Sequence, residues 1–214
     1  MEQIRPYTYG LLGAITLVLI WSFIHPHDRF TWILEVAPFL TALPILAATA
    51  RRFPLTPLAY TLIAIHATIL MVGGHYTYAQ VPLGYWMQGA FGFARNHYDR
   101  IGHLAQGFIP AIIARELLVR RRVVRPSWWL PFLVVCFCLA LSAFYELIEW
   151  WTALLSGSAA DAFLGTQGDP WDTQWDMCFA LVGSITSLAL LSRLHDRQLR
   201  AVYQPIDLGQ QRSP

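Results

Sequence analysis

About six runs of mostly apolar residues, each near the ~20 that a helix needs to cross a bilayer, leave this chain one class of fold. It is expected to be all-α, a polytopic transmembrane helix bundle, because an isolated segment in lipid can satisfy its backbone only as a helix. The predicted spans are 7–24, 31–50, 55–73, 98–119, 128–151 and 174–192. The breaks between them are too short for a soluble domain, so residues 1–214 are expected to form a single membrane domain. Composition agrees: 56% of residues are hydrophobic and only 13% are charged, about half the charged share of an ordinary soluble domain. The first run ends at His25-Pro26-His27 without a small-x-small cleavage site, which predicts a retained helix.

Orientation follows from arginine, since cytoplasmic loops carry the excess of positive charge. Arg5, the pair Arg51 and Arg52, the group Arg120, Arg121, Arg122 and Arg125, and Arg193, Arg197 and Arg200 all fall on one side of the spans. The opposite side receives the turn 25–30 and the connections 74–97 and 152–173, with only Arg29 and Arg95, and Arg100 just inside span four. Both termini are therefore expected in the cytoplasm of a bacterial cell, with the protein in its inner membrane. The 152–173 segment, with Ser156-Gly157-Ser158 and Gly165-Thr166-Gln167-Gly168-Asp169-Pro170, reads as an outer loop. Tryptophans such as Trp128, Trp129, Trp150, Trp151, Trp171 and Trp175 fall at span ends as an aromatic belt.

All 15 basic residues are arginine, which removes Schiff-base and P-loop lysine chemistry. Arginines gathered at membrane edges do not suit nucleic acid. The expected partners are membrane lipids and a lipid-linked small-molecule substrate. Cys136, Cys138 and Cys178 lie in apolar runs and read as small hydrophobes, not as a disulfide or metal knuckle.

The ionisable residues collect at the outer ends of the spans. His75 closes span three; His97, Asp99 and His103 open span four; Glu146 and Glu149 lie in the outer part of span five; Asp169, Asp172 and Asp176 open span six. Glu35, one turn into span two, is at a similar depth. Helical spacing puts Asp99, His103 and Gln106 on one stripe, Ser142, Tyr145, Glu146 and Glu149 on another, and Asp172, Asp176 and Gly183 on a third. Ala180, Gly183, Ser184 and Ser187 give span six a small-residue face that lets helices approach closely.

Ionised carboxylates near hydrocarbon cost several kcal/mol and need compensation. The candidate ligand set for a divalent metal ion, of unspecified identity, is His75, His97, Asp99, His103, Glu146, Asp172 and Asp176. The candidate catalytic residues are Glu146, Glu149, His103 and Asp176, as general acids and bases. Arg95 and Arg100, beside the outward N-termini of spans two, four and six, are the candidate anion-binding pair. Asn96 and Asp169 also read as helix caps, with Asp99 and Asp172 three residues on and Pro170 at a first helical position. His66 reads as a hydrogen-bonded packing residue, and Glu116 with Arg120 as a surface i,i+4 pair.

Four segments carry a family resemblance: Gly74-His75-Tyr76-Thr77-Tyr78, Asn96-His97-Tyr98-Asp99-Arg100-Ile101-Gly102-His103, Phe144-Tyr145-Glu146-Leu147-Ile148-Glu149-Trp150, and Gln167 to Met177. Through them the chain resembles the YjdF-like inner-membrane proteins, a family without an established activity. It is more loosely similar to VanZ-like membrane proteins, in which an acid-Lys-x-x-His helix start is followed by Glu-x-x-Gln and then Asp. Asp99, His103, Glu146 and Asp176 match that pattern, while Arg100 replaces the lysine and Glu149 the glutamine. The expected function is a metal-dependent hydrolase or transferase acting on a lipid-linked or envelope substrate. The alternatives are a proton- or ion-coupled transporter and a non-catalytic membrane factor whose polar cluster is structural. HExxH, Gly-x-Ser-x-Gly and P-loop motifs are absent.

Overall fold

The computed structural model describes residues 4–125, 127–157 and 161–202. Six long helices occupy the six predicted runs: α1 (Ile4–Phe23), α2 (Arg29–Thr49), α3 (Pro57–Tyr76), α5 (Tyr98–Arg120), α6 (Trp129–Ser156) and α8 (Asp172–Val202). Two short helices were not expected, α4 (Pro82–Phe91) in the 74–97 connection and α7 (Asp161–Leu164) after α6. Ser158, part of the expected outer loop, lies outside the described residues. There is no strand among the described residues.

Local chemistry sets the helix starts. Asp28 accepts the Thr31 N–H at 2.6 Å and caps α2. That backbone bond, set against some burial, holds the Asp28 carboxyl below its usual range. Thr56 caps α3 through the Ala59 N–H, with Pro57 at the first helical position. Gly92, at φ +67°, ends α4 in the left-handed conformation that glycine adopts without strain.

Five helices, α1, α2, α3, α6 and α8, are long and apolar enough to cross a membrane. The sixth, α5, is long enough at 23 residues but carries Asp99, Arg100, Arg115, Glu116 and Arg120. It is the centre of the bundle, packed on α8, α6 and α3. More than half of its residues are buried, including Arg100, His103, Arg115 and Glu116. Its polar groups therefore meet other helices rather than lipid, which is where intramembrane charge is tolerated.

The closest approach in the bundle is between α5 and α8, which run parallel. Asp99 and Asp176 share one end, and Arg115 and Asp196 the other. A Cβ on Gly107 would collide with the Ala180 carbonyl, and one on Gly183 with the Leu104 carbonyl. The predicted small-residue face of span six is buried at Ala180, Gly183, Ser184 and Ser187, so backbone meets backbone there. Apolar clusters fill further contacts, Val36, Phe39 and Met71 between α2 and α3, and Leu62, Ile109 and Ile112 between α3 and α5. The aromatic-belt residues Trp128, Trp129, Trp150, Trp151, Trp171 and Trp175 are all exposed.

One expectation is overturned. Glu116 and Arg120 are indeed bonded, at 2.8 Å, but Glu116 is fully buried. Its carboxylate also accepts the Thr56 N–H at 3.0 Å, the Thr56 hydroxyl at 2.7 Å and His195 Nε2 at 3.1 Å. Arg115 donates to His195 Nδ1 at 3.0 Å and to Asp196 at 2.7 Å. The i,i+4 spacing was readable, but the partners from α3 and α8 that enclose the pair lie far away in sequence.

Candidate functional site

The opposite end of the bundle gathers the N-terminal turns of α2, α5 and α8 and the C-terminal turns of α3 and α6. His103, one turn into α5 and nearly fully buried, stands at the centre. On its own helix Asp99 Oδ1 is 3.5 Å from Nε2. From α8, Asp176 Oδ2 is 4.0 Å from Nε2, and from α6, Glu146 Oε1 is 3.7 Å from Nδ1. Two groups of three have ligand atoms within 4.8 Å of one another: Asp99, His103 and Asp176, and His103, Glu146 and Glu149.

Gln106 orders these choices. His103 Nδ1 lies 3.0 Å from the Gln106 amide oxygen. An amide oxygen accepts, so the Nδ1 proton points to Gln106, and Nε2 faces Asp99 and Asp176. An outer hydrogen bond of this kind orients the ring of a ligating histidine. The residues fit a cation on a second count as well. Asp176 Oδ1 and Glu146 Oε1 are buried without a hydrogen-bond partner among the described residues, a costly state for carboxylate oxygens.

Arginine neutralises the neighbouring acids. Arg100 reaches Asp169 at 2.8 Å and Asp172 at 3.3 Å, and Arg95 is bonded to Asp172 and lies 3.4 Å from Asp169. Arg95 also donates to the Thr166 carbonyl at 2.6 Å, and Gln167 donates to the Asn96 carbonyl at 2.8 Å, which ties the turn before α5 to the turn before α8. The Trp171 N–H, and then the two arginines, hold the Asp169 carboxyl below its usual range. Arg100 Nε, at 3.7 Å, links this pair of acids to Asp176.

The candidate residues thus separate into groups. Asp99, His103, Glu146, Glu149 and Asp176 converge. Asp172 sits at the edge, shared by Arg95 and Arg100. His97 opens α5 with its ring edge against Phe93 at 4.8 Å, outside both groups of three. Burial, then Arg95 and Arg100, lower its pKa. His75 lies on the far side of α3, where its Nδ1 is 3.1 Å from the Ser22 carbonyl and its ring is 4.5 Å from Trp21. Asn96 and Asp169 accept the Tyr98 and Trp171 N–H groups, each two residues on, but neither is the helix cap expected: His97 precedes α5 without a side-chain cap, and α8 begins only at Asp172, past Pro170.

Between His103 and α2 lies a cavity of about 110 Å³ lined by Glu35, His66, Tyr78, Asp99, Gln106, Tyr145 and Glu149 among others. His66, expected to be a packing residue, therefore faces open space. Glu35 and Tyr78 were not assigned to the site from sequence. Glu35 is buried, with the Tyr145 hydroxyl donating to it at 3.4 Å, and its signal was a lone carboxylate inside an apolar run. Tyr78 gave no such signal. Its ring enters because Gly73 and Gly102 leave space that a Cβ at either position would fill.

Fold and site together define a polytopic membrane helix bundle with a buried histidine–carboxylate cluster at one end. Over residues 7–197 the chain matches the family described as predicted membrane protein (DUF2238), and it belongs to that family. It is 57% identical over 187 residues to the inner membrane protein YjdF of Escherichia coli (strain K12), covering 87% of this chain and 90% of that protein. The resemblance read from the four motif segments is confirmed. No solved structure matches the chain.

Proposed function

We propose that this inner-membrane protein is a hydrolase or transferase of a lipid-linked or envelope substrate, using a divalent cation held by Asp99, His103 and Asp176 on the outer side of the membrane. The observation that carries the reading is the convergence of acids from three helices on one histidine, with Nε2 facing Asp99 and Asp176 and with buried carboxylate oxygens of Asp176 and Glu146 that make no hydrogen bond among the described residues. Arg95 and Arg100 bond Asp169 and Asp172, and Arg100 reaches the inner acids only at Asp176, 3.7 Å away, so the described arginines do not balance Asp99, Glu146 and Glu149. A cation there would relieve the repulsion and, when bound, polarise a substrate oxygen or acidify a water.

The remaining roles fall to this chain's own groups. Gln106 holds the His103 ring, and Arg100 steadies Asp176. Glu146 lies on the Nδ1 side of His103 and Glu149 in the cavity wall, where a carboxylate can take a proton from an attacking hydroxyl. The arginine asymmetry supports an outward-facing site and cytoplasmic termini.

The reading is tested with membranes containing wild-type, His103→Ala, Glu146→Gln or Leu17→Ala protein, incubated with radiolabelled envelope lipids and a divalent salt. Wild type and Leu17→Ala, a lipid-facing change in α1, convert a lipid to product. The two cluster variants insert equally but lose turnover by at least 100-fold, the usual scale of acid–base assistance. Full turnover in both cluster variants overturns the assignment, as does His103-dependent ion flux in proteoliposomes without any lipid conversion.

A further inference from the structure

The polar cavity continues sideways. Pro38, His66 and Leu70 line both it and a second, apolar hollow of about 230 Å³. The other walls of that hollow are apolar side chains of α2, α3 and α5, among them Ala42, Leu46, Ile63 and Ile113. It exists because α2 packs along α3 but has no extensive interface with α5. Pro38 and Pro44 remove two hydrogen bonds from α2 where this gap runs. Every lining residue belongs to a bundle helix, well inside its ends, so the hollow opens on hydrocarbon rather than water.

We propose that this groove seats an alkyl chain of a membrane lipid whose headgroup enters the polar cavity from the side; the inference rests on the reading of that cavity as a substrate site. Three features choose the occupant. An apolar groove at membrane depth meets lipid chains, and water there would find His66 alone as a polar side chain in the lining. Its polar end holds Glu35, Asp99, Glu149, Tyr145 and Gln106, and no arginine lines it. Glu35 is buried and accepts the Tyr145 hydroxyl at the long distance of 3.4 Å, and a carboxylate, with about four lone-pair sites, has capacity for a further donor on the ligand. The headgroup class is therefore one that donates hydrogen bonds, a hydroxyl or an ammonium, beside the cation site.

The test uses full-length protein in nanodiscs with two photoactivatable probes carrying the same diazirine chain, one a phosphatidylethanolamine and the other a methyl ester without a donor. Labelling of the 42–46 and 109–113 peptides saturates, whereas labelling around Leu17 on the exposed face of α1 rises linearly with probe. The ethanolamine lipid competes at about ten-fold lower concentration than the ester, the worth of one charge-assisted hydrogen bond, and Glu35→Gln narrows that difference. Ala42→Trp removes the saturable component while Leu17→Trp keeps it. The wild-type comparison stands even if a tryptophan variant fails to fold. Linear labelling of groove and α1 alike overturns the inference, and equal competition by both probes overturns the headgroup assignment. Repeating the wild-type series after chelation separates the two readings: saturable groove labelling in protein that never binds metal upholds the groove and removes the cation.

Discussion

Gln106 bonds His103 Nδ1 and so turns Nε2 toward Asp99 and Asp176. Gln106→Leu is therefore expected to weaken divalent-ion binding about 10- to 100-fold, the range for losing an outer-shell partner, while His103→Ala abolishes it; competition titration with a metal indicator separates the two. Asp169 makes a prediction of a different kind. Its folded pKa is lowered, first by the Trp171 N–H and then by Arg95 and Arg100. The stabilisation is complete above the ordinary value of 3.8 and is lost as pH falls through the lowered folded value. Asp169→Asn should melt below wild type at neutral pH, and the difference should close on acidification; a constant difference down to acid pH would contradict the pairing. At the other end, Glu116→Ala strips a buried anion from Arg120, His195 and Thr56 and should cost about 3–5 kcal/mol, read as lost melting temperature in detergent. Sequence spacing made the Asp99–His103–Gln106 stripe legible because all three lie on one helix. It misjudged Glu116, whose burial is set by Thr56 and His195, 60 and 79 residues away.

All six long helices were legible from apolar run length, with ends within a few residues except at α6 and α8, which extend past their apolar windows to Ser156 and Val202. Helix propensity and backbone hydrogen bonding continue where apolarity stops, so hydrophobicity alone reads these ends short. α4 was missed because a ten-residue helix in a mixed polar connection carries no run signal. Its start is set by Pro82 and its place by Gly84, where a Cβ would collide with the Asn96 side chain. The α5–α8 contact gives a sharper element-level expectation. Gly183→Ala forces two backbones apart and should destabilise by about 1–3 kcal/mol. Gly13→Ala in α1, where a Cβ meets nothing within 4 Å, should leave the melt unchanged. Equal melting of the two variants would mean that α5 and α8 do not pack through these glycines.

Across the whole molecule, charge is divided between two ends: a fully partnered arginine–glutamate–histidine network at one, and at the other a cluster whose acids are only partly balanced. The family and the membrane class follow from sequence and fold together, whereas the pairing of the ends needed three dimensions, since α2, α3, α5 and α6 line the cavity and α8 adds Asp176 to the cluster beside it. Arginine asymmetry predicts that a reporter active only outside the cytoplasm works when fused after Gly157 and fails after Arg122; equal activity at both would reject the orientation. The central claim is the cation, and metal analysis of detergent-purified protein followed by thermal melts tests it most directly. Close to one divalent ion per chain is expected, with a melting temperature that falls on chelation, returns on adding the ion back, and ignores both in Asp176→Asn. Metal-free protein whose melting is indifferent to chelator and to added divalent ions would contradict the account and leave the cluster as a shared-proton network.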